Sequence, residues 1–197
     1  MLHKKASLLA DACVNNEWIP ADERDWCVYT IEKWLLLSAF LAVLFVWVLI
    51  FGHVLETVCF LVPFYMLRRR IGGFHAKNPS VCLVTSIVII MIVTLYIGPW
   101  MAELAPWVLL IICVVVDIFG FLTKPIYPVQ AEFSEAETQC NLVRKNYLLA
   151  VALLVQTASI ALNASMVAAH ISIGTLIALL MVVLEGCLRR NLRFGSK

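Results

Sequence analysis

Charged residues are scarce in this sequence. Only 14% of its 197 residues are charged and 62% are hydrophobic, whereas a soluble domain typically carries about 25% charged residues. The net charge of +2 is too small to indicate a nucleic-acid-binding protein. The mean hydropathy is +0.93, and the apolar residues form runs longer than a soluble core needs. The sequence therefore predicts an all-α integral membrane protein.

Metal-binding and disulfide patterns are absent from the cysteines. The chain has 7 of them, with no CxxC pair and no grouping with histidine at zinc-site spacing. An odd number argues against a closed disulfide framework. Most of them lie in apolar runs, where a thiol packs like a small hydrophobic side chain. We therefore expect no metal and no cofactor.

Several apolar segments have lengths near the roughly 17–25 residues that a spanning helix needs. They are residues 34–51, 54–67, 80–98, 101–122, 147–168 and 171–188. The second is short and contains Glu56 and Pro63. No short apolar stretch with a cleavage site precedes residue 34, so we expect the first run to be retained as a span. The sequence predicts about six transmembrane helices, with four spans and two re-entrant segments as the alternative.

The distribution of basic residues predicts the orientation of these helices. With the N-terminus inside, all 15 lysines and arginines fall on cytoplasmic segments. The predicted outside connections, near residues 52–53, 98–101 and 168–170, contain none. Both termini are therefore expected in the cytoplasm. His53 and His170 are expected outside, at a surface or an interface.

We expect residues 1–197 to form one domain, with two longer segments outside the spans. Residues 1–33 place apolar side chains at Leu2, Ala6, Leu9, Cys13 and Val14, roughly on one helical face. They predict an amphipathic helix that lies on the inner leaflet or, alternatively, in solvent. In the cytoplasmic loop 123–146, Ser134 and Glu137 form a capping-box pattern. This pattern predicts a helix from about Glu135 into the fifth span.

The segment 67–86 (LRRRIGGFHAKNPSVCLVTS) contains a histidine and a cysteine seven residues apart. In a continuous helix His75 and Cys82 would lie about 10 Å apart along the axis, too far for a hydrogen bond. Asn78 and Pro79 instead suit the N-cap and first position of a new helix. Cys82 then lies near the positive end of the helix dipole, which favours a thiolate.

A reactive pair also needs the histidine to approach the thiol. Gly72 and Gly73 would allow the loop at 68–79 to fold His75 back over the helix end. A thiolate nucleophile with a histidine base is the pattern of a cysteine peptidase. Taken alone, the arginines at 68–70 are also typical of a stop-transfer cluster, and the glycines of a plain loop.

At these residues the chain resembles the accessory gene regulator B (AgrB) family, the membrane peptidases of Gram-positive quorum sensing. The family's paired arginine, glycine, essential histidine and essential cysteine correspond to Arg68, Arg69, Gly73, His75 and Cys82. The resemblance extends to residues 25–29 with Glu32, to Glu56, and to Lys124–Pro125 after the fourth span. It covers nearly the whole chain.

The resemblance implies a cysteine endopeptidase in the bacterial cell membrane, with its active site near the cytoplasmic face. It would cut an AgrD-like precursor peptide through a thioester on Cys82, with His75 as the base, and promote closure of a thiolactone or lactone ring. Arg68, Arg69 and Gly73 would bind substrate or support the site, and Asp117 and Glu56 are possible auxiliary groups. The implied partners are the precursor peptide, the lipid bilayer and a second copy of the chain.

Other classes of function remain open from the residues alone. A small membrane transporter or peptide exporter would align polar residues through several spans, and the sequence shows only scattered ones. In a thiol-dependent acyltransferase, Cys82 would carry an acyl group instead of a peptide. In a non-enzymatic scaffold, His75 and Cys82 would be replaceable.

Overall fold

The computed structural model describes residues 2–73, 79–127 and 134–194, without the side chains of 2–4, 33, 79, 80, 82 and 191–194. This part of the chain is helical and contains no strand, which confirms the all-α prediction. The helices are α1 Leu2–Asn15, α2 Arg24–Phe51, α3 Val54–Ile71, α4 Pro79–Ile92, α5 Gly98–Ala102, α6 Pro106–Leu122, α7 Glu135–Ala161 and α8 Ser165–Phe194. A π-helical turn, Val93–Ile97, joins α4 to α5.

Within the described parts of the chain, three helical segments are long and apolar enough to cross a membrane: Ala21–Phe51, Leu83–Ala102 and Ser165–Arg190. The shorter helix α6, Pro106–Leu122, is also apolar. These segments agree with the predicted membrane protein. The number of spans and the cytoplasmic position of both termini stay predictions.

The chain divides into two compact units, of which the first contains Met1–Gly52 and Asn78–Ile87. Here α1 packs on α2 through Ala6, Ala10 and Val28. Arg24 Nε donates to Asp11 Oδ1 at 2.7 Å, and its guanidinium also bonds Ser7. The predicted α1 helix is present, and Ala6 of its predicted apolar face packs on α2. Leu9 is 51% exposed, because the small side chains of Ala6 and Ala10 are the ones that allow close contact with α2.

The second unit contains His53–Lys77 and Val88–Lys197, and α8 is its central helix. It contacts α3, α5, α6 and α7. Its Gly174 lies against the backbone of Phe60, so α3 and α8 approach closely there. A hydrophobic cluster joins these helices through Leu67 and Ile71 of α3, Val116 of α6, Leu149 of α7, and Ala178, Leu179 and Val182 of α8.

Two of the connections predicted from the sequence lie inside helices in the structure. The turn before α8 is at 162–164 and not at 168–170, because Asn163 adopts a left-handed conformation with φ of 58°. The prediction for His170 was therefore wrong: it is fully buried in α8, and its Nδ1 contacts the Met166 carbonyl at 2.8 Å. Similarly, residues 98–101 are part of α5, where Gly98 faces the His170 ring.

The start of α7 follows the predicted pattern. Ser134 accepts a hydrogen bond from the Glu137 amide at 3.2 Å, and the Glu137 carboxylate accepts one from the Ser134 amide at 2.9 Å. These bonds hold the pKa of Glu137 below its usual value. The capping box is therefore confirmed, and α7 begins at Glu135.

The end of α6 is capped by a side chain from α7. Lys145 Nζ donates to the carbonyls of Gly120, Phe121 and Thr123 at 3.0, 3.2 and 2.9 Å. A cation at this position satisfies carbonyls that a helix end leaves unbonded and complements the helix dipole. Lys145 is fully buried, so it fixes α7 to the end of α6.

Candidate active site

The predicted nucleophile and base lie largely beyond what the structure describes. His75 is outside the described residues, and so is the side chain of Cys82. The backbone of Cys82 is in the first turn of α4, which begins at Pro79. The prediction that Pro79 opens this helix is confirmed, so Cys82 occupies its fourth position.

The three arginines form the last turn of α3, each in a different environment. The Arg68 guanidinium lies 5.7 Å from the centre of the Phe64 ring. Arg69 is exposed. Arg70 Nη1 donates to Asn141 Oδ1 of α7 at 3.2 Å. Positive charge at a helix C-terminus complements the dipole, so all three positions also stabilise the end of α3.

A short segment after α6, residues 123–127, crosses the end of α3, and we call it the strap. The Ile126 amide donates to the Ile71 carbonyl at 2.9 Å, and the Gly73 amide donates to the Ile126 carbonyl at 3.2 Å. Gly72 and Ile126 thus form an isolated parallel β-bridge. The strap contains Lys124–Pro125 and fixes the backbone that leads towards residue 74.

The strap is itself held by α3 and α8 through Tyr127. The Tyr127 hydroxyl donates to the Arg70 carbonyl at 2.8 Å. Arg189 of α8 donates from Nη2 to the Tyr127 carbonyl at 2.8 Å and from Nε to Glu185 at 2.7 Å. Burial raises the pKa of the Tyr127 phenol, so it remains a neutral donor at physiological pH. The end of α3, the strap and α8 are therefore linked by a continuous set of hydrogen bonds.

The two glycines at the end of α3 are required by this arrangement. Gly72 and Gly73 have φ values of 71° and 114°, which residues with a side chain rarely adopt. A side chain at Gly72 would collide with the Ile126 carbonyl. A Cβ at Gly73 would lie 3.2 Å from backbone atoms of Met181 and Val182. Gly73 is thus buried against α8, which gives a physical reason for glycine at this predicted site position.

An apolar groove of about 480 Å³ runs along α8 next to this point. It is lined by Ile89 of α4 and by α8 side chains between Ile177 and Cys187, including Met181. Because Gly73 packs against the backbone of Met181, the groove lies next to the segment that precedes His75.

The two predicted auxiliary carboxylates lie on different helices, and their auxiliary role stays a prediction. Glu56 is in the first turn of α3, with its carboxylate 3.5 Å from His53 Nδ1. The arginines at 68–70 begin twelve residues later, roughly 18 Å along the helix. Asp117 is fully buried within α6, near Cys113. Neither placement adds support for an auxiliary role at the arginine end of α3.

The sequence analysis missed the residues that hold the strap. Tyr127, Asn141 and Arg189 come from the loop, α7 and α8, and no local pattern links them to α3. The only sequence signal nearby was Lys124–Pro125, which marks the segment but not its partners.

Comparison with known proteins decides the family. The model of the family described as Accessory gene regulator B matches residues 6–184, nearly the whole chain. The chain belongs to the AgrB family. Neither the curated proteins nor the solved structures contain a match to it. Membership confirms the resemblance drawn from residues 68–82 and indicates a role in the accessory gene regulator system, at the membrane and with an AgrD-type precursor.

Proposed function

We propose that this AgrB-family protein is a membrane-embedded cysteine endopeptidase. It would remove the C-terminal tail of an AgrD-like precursor peptide and promote its cyclisation to a thiolactone or lactone. The family match over residues 6–184 carries the proposal. The position of the Cys82 backbone in the first turn of α4 supports it, because a helix N-terminus favours a thiolate.

The first step makes an enzyme-bound thioester. His75 takes the proton of the Cys82 thiol, and the sulfur attacks the scissile carbonyl carbon of the precursor. The C–N bond then breaks, and His75 returns the proton to the leaving amine. The C-terminal tail departs with a free amino group, and the N-terminal part stays on Cys82.

The second step closes the ring. A thiol or hydroxyl within the bound peptide attacks the thioester carbonyl, its proton goes to the Cys82 sulfur, and the cyclic peptide leaves. Exchange of one thioester for another is nearly neutral in free energy, whereas making the thioester from an amide is uphill. Removal of the tail or of the product must therefore drive the sequence, and water must be kept from the intermediate.

The strap supports this chemistry by holding the segment that precedes His75. Its hydrogen bonds to Ile71 and Gly73 fix the backbone as far as residue 73. A base must lie within hydrogen-bonding distance of its nucleophile, so a loosely held segment would lower the rate. Gly73 supports the site in this sense rather than by contact with substrate.

Arg68 and Arg69 are proposed to bind the precursor. Arginine forms bidentate hydrogen bonds with carboxylates, and the precursors of this family carry an acidic C-terminal tail. Arg69 is exposed, which leaves its guanidinium accessible. We place this end of α3 and both chain termini at the cytoplasmic face of the bacterial membrane, and we propose a homodimer.

The test is co-expression of the protein with its precursor and mass spectrometry of the products. Cys82→Ser, Cys82→Ala and His75→Ala should abolish cleavage while expression and membrane insertion persist. Cys140→Ala is the matched control, because Cys140 is an exposed thiol at the start of α7. It should cleave like the wild type, which should also show the precursor fragment attached to the enzyme.

Cleavage by Cys82→Ala would contradict the nucleophile assignment. A protein that exports an intact or separately cut peptide would then be the better reading. An acyl group on Cys82, with no peptide attached, would indicate an acyltransferase instead.

A further inference from the structure

The interior of the second unit contains polar side chains on three helices. Asp117 lies on α6, Gln156 on α7, and Ser172 and Thr175 on α8, each at most 1% exposed. Among the described residues, the Asp117 carboxylate, the Gln156 amide and the Thr175 hydroxyl have no hydrogen-bond partner, and the Ser172 hydroxyl has only the Cys113 thiol beside it. Buried polar groups in native proteins are nearly always bonded to protein, water or an ion. This set therefore indicates bound water or an ion between the three helices.

The register of the three helices can be fixed at one level. A Cβ at Gly120 would lie 2.9 Å from methyl carbons of Leu149 and 3.3 Å from one of Leu179. These three residues form an apolar layer across α6, α7 and α8. Lys145 bonds carbonyls at the end of α6, and Leu149, one turn further along α7, contacts Gly120, so α6 and α7 run in opposite directions. The short turn at 162–164 reverses the chain again between α7 and α8. A level nearer the N-terminus of α6 and α8 is therefore a level nearer the C-terminus of α7.

Seven residues correspond to about two turns and return to nearly the same helix face. From the apolar layer, this step leads to Cys113 on α6, Gln156 on α7 and Ser172 on α8. The Cys113 thiol and the Ser172 hydroxyl are indeed neighbours, which confirms the register. Gln156 and Ser172 thus face the same interior space.

The remaining two groups lie between these layers. Asp117 is one turn from Cys113 in the direction of the apolar layer, and the two side chains are close. Thr175 is one turn from Ser172 in the same direction on the parallel helix. The carboxylate, the amide and both hydroxyls therefore occupy adjacent levels of one seam between three helices.

The Asp117 carboxylate has no visible source of neutralisation in this seam. The buried cation on α7, Lys145, is engaged by the carbonyls of Gly120, Phe121 and Thr123 at the end of α6. An unpaired charge inside a membrane protein is costly, so such groups pair or bind ions. Carboxylate, amide and hydroxyl oxygens are the ligands that hard cations prefer.

We propose that Asp117, Gln156, Ser172 and Thr175 bind one small monovalent cation of the Na⁺ type. A single carboxylate neutralises a single positive charge, whereas a divalent ion would leave a buried net charge. None of these four residues is among those on which the proposed peptidase activity rests, His75, Cys82, Arg68, Arg69 and Gly73. Sequence reasoning treated these polar residues as scattered, but helical register brings them together on three helices.

The test uses the purified full-length protein in detergent, with NaCl compared with choline chloride at equal ionic strength. The melting temperature should rise by about 5 °C at saturating Na⁺, because a ligand bound only by the folded state stabilises it. Radioactive ²²Na⁺ should bind with a stoichiometry near one per chain. Asp117→Asn should lose both effects, and Thr175→Val should weaken them at least tenfold in apparent affinity.

Thr94→Val is the matched control. Thr94 is also fully buried in the second unit, but its hydroxyl already donates to the Ile90 carbonyl at 2.8 Å. This variant should melt lower yet keep the Na⁺ response, which separates ion binding from general destabilisation. Should Asp117→Asn fail to fold, Thr175→Val and Gln156→Leu give the same comparison.

Three outcomes would overturn the proposal. The first is an equal melting temperature of the wild type in Na⁺ and in choline, and the second is an unchanged Na⁺ response in Asp117→Asn and Thr175→Val. Stability that changes with pH through Asp117 but not with Na⁺ would show that this carboxyl is only protonated.

Discussion

Two regions of the second unit contain polar side chains, but they differ in whether the chain itself supplies the hydrogen-bond partners. At the end of α3, Arg70 donates a hydrogen bond to the Asn141 side chain, and Tyr127 and Arg189 donate to backbone carbonyls. In the seam between α6, α7 and α8, Asp117 and Gln156 are more deeply buried yet have no partner among the described residues. The hydrogen bonds of the first region are supplied by the chain itself, whereas the second region is the proposed cation site.

This difference teaches how each region can serve function. Hydrogen bonds completed within the chain make a rigid support, which suits a segment that must hold a catalytic base in place. Unpartnered groups in a low-dielectric interior have a strong preference for an ion or for water. Substitutions in the first region should therefore act on geometry, and those in the second on ligand dependence.

Among the substitutions at the end of α3 and the strap, Gly73→Ala should have the largest effect. The new Cβ would lie 3.2 Å from the α8 backbone at a φ of 114°, so both overpacking and backbone strain oppose it. We expect a loss of about 3 kcal/mol in stability and no measurable precursor cleavage. Thermal unfolding and mass spectrometry of the co-expressed precursor measure the two quantities.

Gly52→Ala is the control for Gly73→Ala. Gly52 also has a positive φ, of 72°, but no atom lies within 4 Å of a Cβ built there. It should lose only about 1 kcal/mol, from backbone strain, and should keep cleavage. Equal losses in the two variants would show that contact with α8 does not matter at Gly73.

Lys145→Met should have the next largest effect. It removes the ammonium that bonds three carbonyls at the end of α6 and leaves those carbonyls buried without a donor. A loss of about 3 kcal/mol follows from hydrogen bonds to a charged group. The neighbouring Arg144 is exposed, so Arg144→Met should change stability by less than about 0.5 kcal/mol. Unfolding curves of Lys145→Met and Arg144→Met measure the two losses of stability, and equal losses would refute the capping role of Lys145.

How far the sequence predicts this protein depends on the range of the interactions concerned. Local signals succeeded: Pro79 opens α4, and Ser134 with Glu137 starts α7. Hydropathy found the apolar segments but misplaced the turn before α8, since Asn163 and not a polar run makes that turn. Residue chemistry at 68–82 identified the family, which the family match confirms.

Long-range contacts could not be predicted in the same way. Tyr127 bonds to a residue 57 positions away and Arg189 to one 62 positions away, and neither distance leaves a periodic pattern. His170 looked like an outer-surface residue because it lies near the end of an apolar run. It is buried instead because α5 packs over it at Gly98.

Tyr127→Phe should have a moderate effect on the stability of the strap. It deletes one hydrogen bond, from the phenol to the Arg70 carbonyl at 2.8 Å, which is worth about 1 kcal/mol. If the strap positions the catalytic segment, kcat for precursor cleavage should fall several-fold with little change in KM. Tyr147→Phe is the matched control, since Tyr147 is 70% exposed. A rise in KM alone would indicate that Tyr127 acts on substrate binding instead.

Acidification should give the smallest effect, at the exposed start of α7. The pKa of Glu137 is lowered from 4.5 by its bonds to the Ser134 amide and hydroxyl, so the ionised form is favoured by folding. The resulting stabilisation is complete above the unfolded-state pKa and is lost as the pH falls through the lower folded-state value. Amide hydrogen exchange at residues 135–138, corrected for intrinsic rates, should therefore speed up below about pH 4.5. Glu137→Gln should remove this pH dependence. The capping box is exposed and bonded only locally, so amide exchange around Tyr127 should not change with pH in the same way. If exchange at both places increased together, the hydrogen-bonded region around the strap would extend further along α7 than its contact with Arg70.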